Sequence, residues 1–282
     1  MSNLHELPPA PTGKRRYSTL TLFKFFVYGS LCWSSSQFIY EDLVAASLLL
    51  DTESSASEIL NFFSVSIDTI CWLVLLVIFE LETSILEDER LRGGLKWFLS
   101  AVSAFCYLVI VYAFTGYLGK LFMLGAATSF DAGGLCQMLN QSLVVMIDMD
   151  EYESLTASNC VTLENAGALG KVVDYPIIYA QSIYTKVIGL ATAATINSAA
   201  WILVVAILQF DIVMQMRGGL SRSLLITSAL LKAVLYLVLA LVALYWGLVG
   251  DFVDFWDAFL WLAGFFIIEL NIFKWQQETA KS

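Results

Sequence analysis

The chain has 282 residues, of which 59% are hydrophobic and 14% charged, with a formal net charge of −10 and a mean hydropathy of +0.74. A soluble domain carries about a quarter charged residues, so this composition excludes an ordinary water-soluble fold and points to lipid as the solvent. The acidic balance, with no basic patch beyond short loop clusters, excludes nucleic acid as a partner. The single histidine, His5, lies in a polar tail, which removes imidazole metal centres and Ser-His or Cys-His catalysis.

Residues 1–18 read as a disordered cytoplasmic tail holding Pro8, Pro9 and Pro11, then Lys14, Arg15 and Arg16. No cleavage motif follows, so the first apolar stretch is expected to be a retained span. Six stretches approach the ~20 residues that a bilayer-crossing helix needs. They are 20–40, 62–81, 97–122, 188–213, 224–249 and 255–273. None contains proline, so no proline kink is expected. The first carries Ser34, Ser35, Ser36 and Gln37, too polar for lipid, and that part should face protein. Its apolar character resumes after Glu41 and Asp42 as far as Leu50, so the helix is expected to outrun the bilayer.

Residues 126–175 are too many for an ordinary connection, whose median is about 4–6 residues. They should hold a small structured cap, followed by a short interfacial helix over 175–186 with Tyr179, Tyr184 and Lys186. Cys32, Cys71 and Cys106 fall within spans, whereas Cys136 and Cys160 fall in the cap. On an oxidising side those two form the natural disulfide.

The predicted fold class is an all-α integral membrane protein with six transmembrane helices. Helices 1–3 lie in 19–125, an extracytoplasmic cap with its interfacial helix in 126–187, helices 4–6 in 188–274, and a second cytoplasmic tail in 275–282. Orientation follows from where the cations fall. Lys14, Arg15, Arg16, Arg90, Arg92, Lys96, Arg217, Arg222, Lys274 and Lys281 lie on one side, and only Lys120, Lys171 and Lys186 on the other. Both termini are therefore expected in the cytoplasm. A compact chain with no cleaved signal and short cytoplasmic loops fits a bacterial plasma (inner) membrane.

The even-numbered spans share a phrase. Trp72, Trp201 and Trp261 are each preceded four residues earlier by Asp68, Asn197 and Asp257. Eight residues after each tryptophan stand Glu80, Gln209 and Glu269, and ten after stand Glu82, Asp211 and Asn271. At about 100° per residue, the early polar residue, the tryptophan and the last polar residue share one face of roughly 80°. Two turns, Arg92-Gly-Gly-Leu95 and Arg217-Gly-Gly-Leu220, add to the likeness. The pattern predicts three parallel two-helix repeats. The competing reading is that membrane spans draw on a small alphabet and that acids near span ends sit at headgroups. On that reading Asp68, Asn197 and Asp257 are outer-end interface residues, and Glu82 and Asn271 inner-end ones.

Glu80, Glu269 and Lys232 are surrounded by apolar neighbours and are harder to assign to an interface. An isolated charge at such depth costs at least ~2.5 kcal/mol, so Lys232 should have a partner, with Glu80 or Glu269 expected. Lys24 is expected to snorkel to the inner surface. The candidate transport or ion-pair residues are thus Glu80, Glu269, Lys232, Asp211 and Gln209.

Two functional readings follow. One is a proton- or cation-coupled transporter or channel-like protein that uses these carboxylates. The other is a non-catalytic membrane subunit, scaffold or assembly factor acting through its helices and cap. An enzyme ranks third: no nucleophile–base constellation, metal-ligand set or cofactor motif appears, and the Gly-Gly turns lack a phosphate-binding ending. The expected partners are the lipid bilayer, an ion or small solute, and other membrane subunits or a second copy.

Overall fold

The computed structural model describes residues 19–51, 53–81, 93–131, 133–216 and 222–279, without the side chains of residues 19–21, 212, 215, 216 and 266–279. Six long helices dominate: α1 (Thr19–Leu49), α2 (Ala56–Glu80), α3 (Gly94–Gly125), α5 (Gln181–Met216), α6 (Arg222–Val249) and α7 (Phe252–Thr279). A short helix, α4 (Ala157–Glu164), belongs to the cap. Each long helix packs on its neighbour in the chain, and α7 closes back on α1, so the six form a ring.

Local sequence sets the helix ends. At Ser55 the side chain accepts the Glu58 N–H while Glu58 reaches back to the Ser55 N–H, a capping box that starts α2. α6 ends at Gly250, whose φ of +92° needs no Cβ, and Asp251 then accepts the Asp254 N–H to open α7. α2 and α3 approach closely at Gly116, where an added Cβ would lie 2.7 Å from the Leu60 carbonyl oxygen.

The ring buries a group of polar residues within its apolar core and exposes large apolar ones. Ser34, Ser35, Asp42, Ser64, Asp68, Lys120 and Ser198 are buried, while Phe25, Phe105, Leu108, Phe122, Leu230, Leu237 and Leu248 are exposed. So many large apolar side chains on the outside mark a surface made for lipid. α2, α3, α5 and α6 are each long and apolar enough to cross a membrane. α1 carries polar groups on the side that faces α7, where the Ser34 hydroxyl donates to Asp257.

The cap corrects the all-α expectation. It holds five short strands, β1 (Thr128–Phe130), β2 (Val144–Met146), β3 (Tyr152–Ser154), β4 (Leu169–Lys171) and β5 (Ile177–Ala180), in the order β1-β4-β5-β2-β3. β2 and β5 pair in parallel and the other pairs are antiparallel. Alternation along the strands divides two cores. Val144, Met146, Ile177 and Tyr179 face the helices, whereas Val145 and Ile178 join Leu135, Leu143, Leu155 and Cys160 on the far face. Cys136 and Cys160 are bonded to each other and tie a 3-10 turn (Leu135–Gln137) to α4. The interfacial helix expected over 175–186 is not a separate element. Its β-branched start pairs as β5, and the helix beginning at Gln181 continues unbroken as α5.

Candidate functional site

α2, α5 and α7 turn their shared tryptophans toward the ring centre. Trp72 lies 6.2 Å from both Trp201 and Trp261, ring centre to ring centre, and Phe265 touches all three. Val27, Leu31, Val204, Leu239 and Leu260 pack around this aromatic knot, with Leu76 and Leu208 beside it. The middle of the ring is thereby plugged.

On the cap side of the plug the side chains become shorter. One turn up, Asp68, Asn197 and Asp257 occupy matching positions on the three helices, and another turn up stand Val65, Ala194 and Asp254. These residues cannot fill the centre as indoles do, and a cavity of about 70 Å³ remains. It has room for several waters at the ~10–15 Å³ each requires. Tyr117 of α3, Trp246 of α6, and Phe38, Glu41 and Asp42 of α1 complete the wall.

The roof is the loop between β2 and β3. Met149 and Asp150 face the chamber, and the loop closes on itself through the Ile147 N–H to the Glu151 carbonyl, 2.9 Å. Two lysines hold it down: Lys120 of α3 bonds Asp150, and Lys186 of α5 bonds Asp148. Beside the loop a second cavity of about 280 Å³ shares Phe38, Glu41, Met149, Asp150 and Asp254 with the chamber. Its wall adds Asp148, Glu151 and Asp251. Burial, together with the Asp150 and Asp148 carboxylates, pushes the Asp251 carboxyl above its ordinary range.

The chamber carboxylates are unequally satisfied. Asp42 accepts from the Ser66 N–H at 3.1 Å and the Ser66 hydroxyl at 2.6 Å. Asp257 accepts from Ser34, and Asp68 accepts from the Tyr117 hydroxyl at 3.2 Å through Oδ2. Asp68 Oδ1, Asn197 Oδ1 and Trp246 Nε1 are buried without a hydrogen-bond partner among the described residues. Buried polar groups are nearly always paired with protein or water, so these three lining groups are open to water or to a ligand. Among the described residues no three acidic, histidine or cysteine side chains converge as a metal ion would require.

Of the deep charges expected to form one site, Glu80 and Lys232 belong to two separate ion pairs beyond the plug. Lys232 donates to Asp211 at 3.0 Å, and the Ser228 hydroxyl donates to the same oxygen at 2.6 Å. Of its two expected partners, Glu80 lies on α2, whereas α6 packs on α5 and α7, and the Glu269 side chain on α7 lies outside the described residues. Glu80 accepts from Lys24 at 2.9 and 3.1 Å and from the Tyr28 hydroxyl at 2.8 Å. Lys24 therefore turns to a carboxylate on the neighbouring helix rather than simply snorkelling outward. Gln209 donates to the Tyr107 hydroxyl at 3.3 Å on the exposed side of its helix. Glu82 and the side chains of Glu269 and Asn271 lie outside the described residues.

Asp68, Asn197 and Asp257, expected as outer-end interface residues, line the chamber. Sequence reasoning passed over Glu41, Asp42, Asp150 and Asp254 as site residues. The available signal was the pair Asp254 and Asp257, three residues apart and so on one helix face. Compared with known protein families, curated proteins and solved structures, the chain matches none.

Proposed function

We propose that this protein is a transporter that admits protons or small cations from the cap side into the acidic chamber. All six long helices cross the bilayer in this reading, with both termini in the cytoplasm of a bacterial cell and the cap outside. The matching registers of α2, α5 and α7 support three parallel repeats whose inner helices share one axis. The observation that carries the reading is Asp68: a buried carboxylate with one oxygen unpartnered, at the edge of a cavity whose roof and walls are rich in acids. Acid-lined clefts with low-dielectric walls concentrate cations, and ionisable residues within a membrane protein's interior mark ion paths by default.

The packed tryptophans between chamber and far side fit an alternating-access state closed on the cytoplasmic face. The same seal supports a second reading, a non-catalytic membrane subunit that binds a cation without carrying it. Reconstitution in liposomes separates them. Proton and cation fluxes driven from the cap side should exceed empty liposomes, and Asp68→Asn and Asp257→Asn should each reduce them at least tenfold. Cation binding without flux under any gradient favours the subunit reading. Flux indifferent to both substitutions counts against the chamber.

A further inference from the structure

The chamber's chemistry narrows the class of cation, and the inference rests on the chamber being the binding site. We infer that its ligand is a small protonated amine. The acids alone would not show this. The second observation is the set of unpartnered groups aimed into the cavity: Asp68 is 8% exposed and Trp246 3% exposed, and each presents a polar atom with no partner among the described residues. Asn197 Oδ1 adds a second unpartnered acceptor.

A bare metal ion fits this set poorly. It needs several oxygens converging at short range, and no such group of acidic side chains occurs among the described residues. An ammonium group instead carries several donors that point in different directions, which suits the separated acceptors Asp68 Oδ1 and Asn197 Oδ1. Trp246 then donates to a hydroxyl on the ligand or to a chamber water. Trp72, Trp201, Trp261 and Phe265 bound the cavity with aromatic carbon, a lining that attracts organic cations through their ring faces. Size sets the upper limit. The chamber measures about 70 Å³, against the roughly 150 Å³ of a cavity that takes benzene. Methylammonium and ethanolamine are of suitable size, and tetramethylammonium, with no N–H to donate, is unsuitable in both respects.

The test is binding, measured on the full chain in nanodiscs by calorimetry and by the fluorescence of the chamber tryptophans. Methylammonium or ethanolamine should bind saturably at least tenfold more tightly than sodium, potassium or tetramethylammonium. Asp68→Asn should weaken amine binding at least tenfold, and Trp246→Phe should erase any preference for ethanolamine over methylammonium. The ranking of probes on the unmodified protein needs no variant to fold. Sodium or potassium binding as tightly as the amines would overturn the inference, as would amine binding unaffected by Asp68→Asn in a well-folded variant. Asp68-dependent proton or sodium flux with no amine binding would sink the amine and leave the transport reading standing. Asp68-dependent amine binding with no flux of any cation would do the reverse.

Discussion

The roof of the chamber offers a test in which the two halves of one ion pair should behave differently. The Lys120 side chain is 5% exposed and that of Asp150 is 19% exposed, so the lysine is sealed among helices while the carboxylate borders a cavity. Stripping the partner from a buried charge costs about 3–5 kcal/mol. Asp150→Ala should fall at the low end, ~3 kcal/mol, because the carboxylate end of the pair is partly exposed. Lys120→Met leaves the carboxylate able to take water from the vestibule, so the loss should be nearer 1.5 kcal/mol, roughly the low end for a charged hydrogen bond. The double variant removes both charges and should lie within ~1 kcal/mol of the parent, giving a coupling of several kcal/mol. Denaturant unfolding in mixed micelles, followed by tryptophan fluorescence, measures all three. Hydrogen exchange across 147–151 should rise in both single variants. Equal losses for the two single variants, or a double variant equal to their sum, would refute the account of a buried lysine under a wetted carboxylate.

Other positions give independent checks. Replacing Cys136 and Cys160 with serine opens a closure of 24 residues and should destabilise the cap by ~3 kcal/mol in the chain-entropy model, read as faster proteolysis within 126–180. Gly116→Ala should cost ~1–3 kcal/mol in unfolding, since its methyl meets the Leu60 backbone rather than a movable side-chain tip. Asp211→Asn strands Lys232 within the ring and should cost at least ~2.5 kcal/mol, whereas Asp211→Asn with Lys232→Met should recover most of it, measured by thermal unfolding. Asp251→Asn keeps an acceptor for the Asp254 N–H and removes a carboxylate whose folded pKa is raised. A raised acid penalises the folded state only when ionised, so the gain in Tm should be full above the folded pKa and vanish as pH falls below the unfolded one.

The sequence carried the long helices and the register of the centre, but not which helices are neighbours. The spacing that aligned Trp72, Trp201 and Trp261 is the spacing that brings them together, because a residue's face on a helix depends only on its position in the turn. Partnering across helices does not. Glu80 and Lys232 were matched by depth, yet α2 and α6 are not neighbours in the ring, and each charge bonds a residue on the helix beside it. Depth likewise did not show that Asp68, Asn197 and Asp257 line a cavity. Position along a span cannot reveal that a cap and three further helices cover them. The cap was legible from its length and its two cysteines, but its strands were not, because strands of three or four residues are too short to display a period of two.

The same phrase builds both the plug and the chamber, and side-chain volume is the reason. Three helix centres held apart by indoles leave a gap wherever the next residues along the axis are small. One turn of helix, about 5.4 Å, separates the tryptophans from Asp68, Asn197 and Asp257. At that level the side chains are too short to meet, and their polarity suits the void that their size creates. The neutral member matters as much as the acids. With Asn197 on α5, the level presents two carboxylates and an amide. A third carboxylate would add like-charge repulsion inside a poorly solvated cavity, where such interactions are several times stronger than in water. The amide keeps an acceptor at the third corner without that cost. A level so composed would hold a single positive charge better than none, which is the physical basis for proposing a ligand between Asp68 and Asn197.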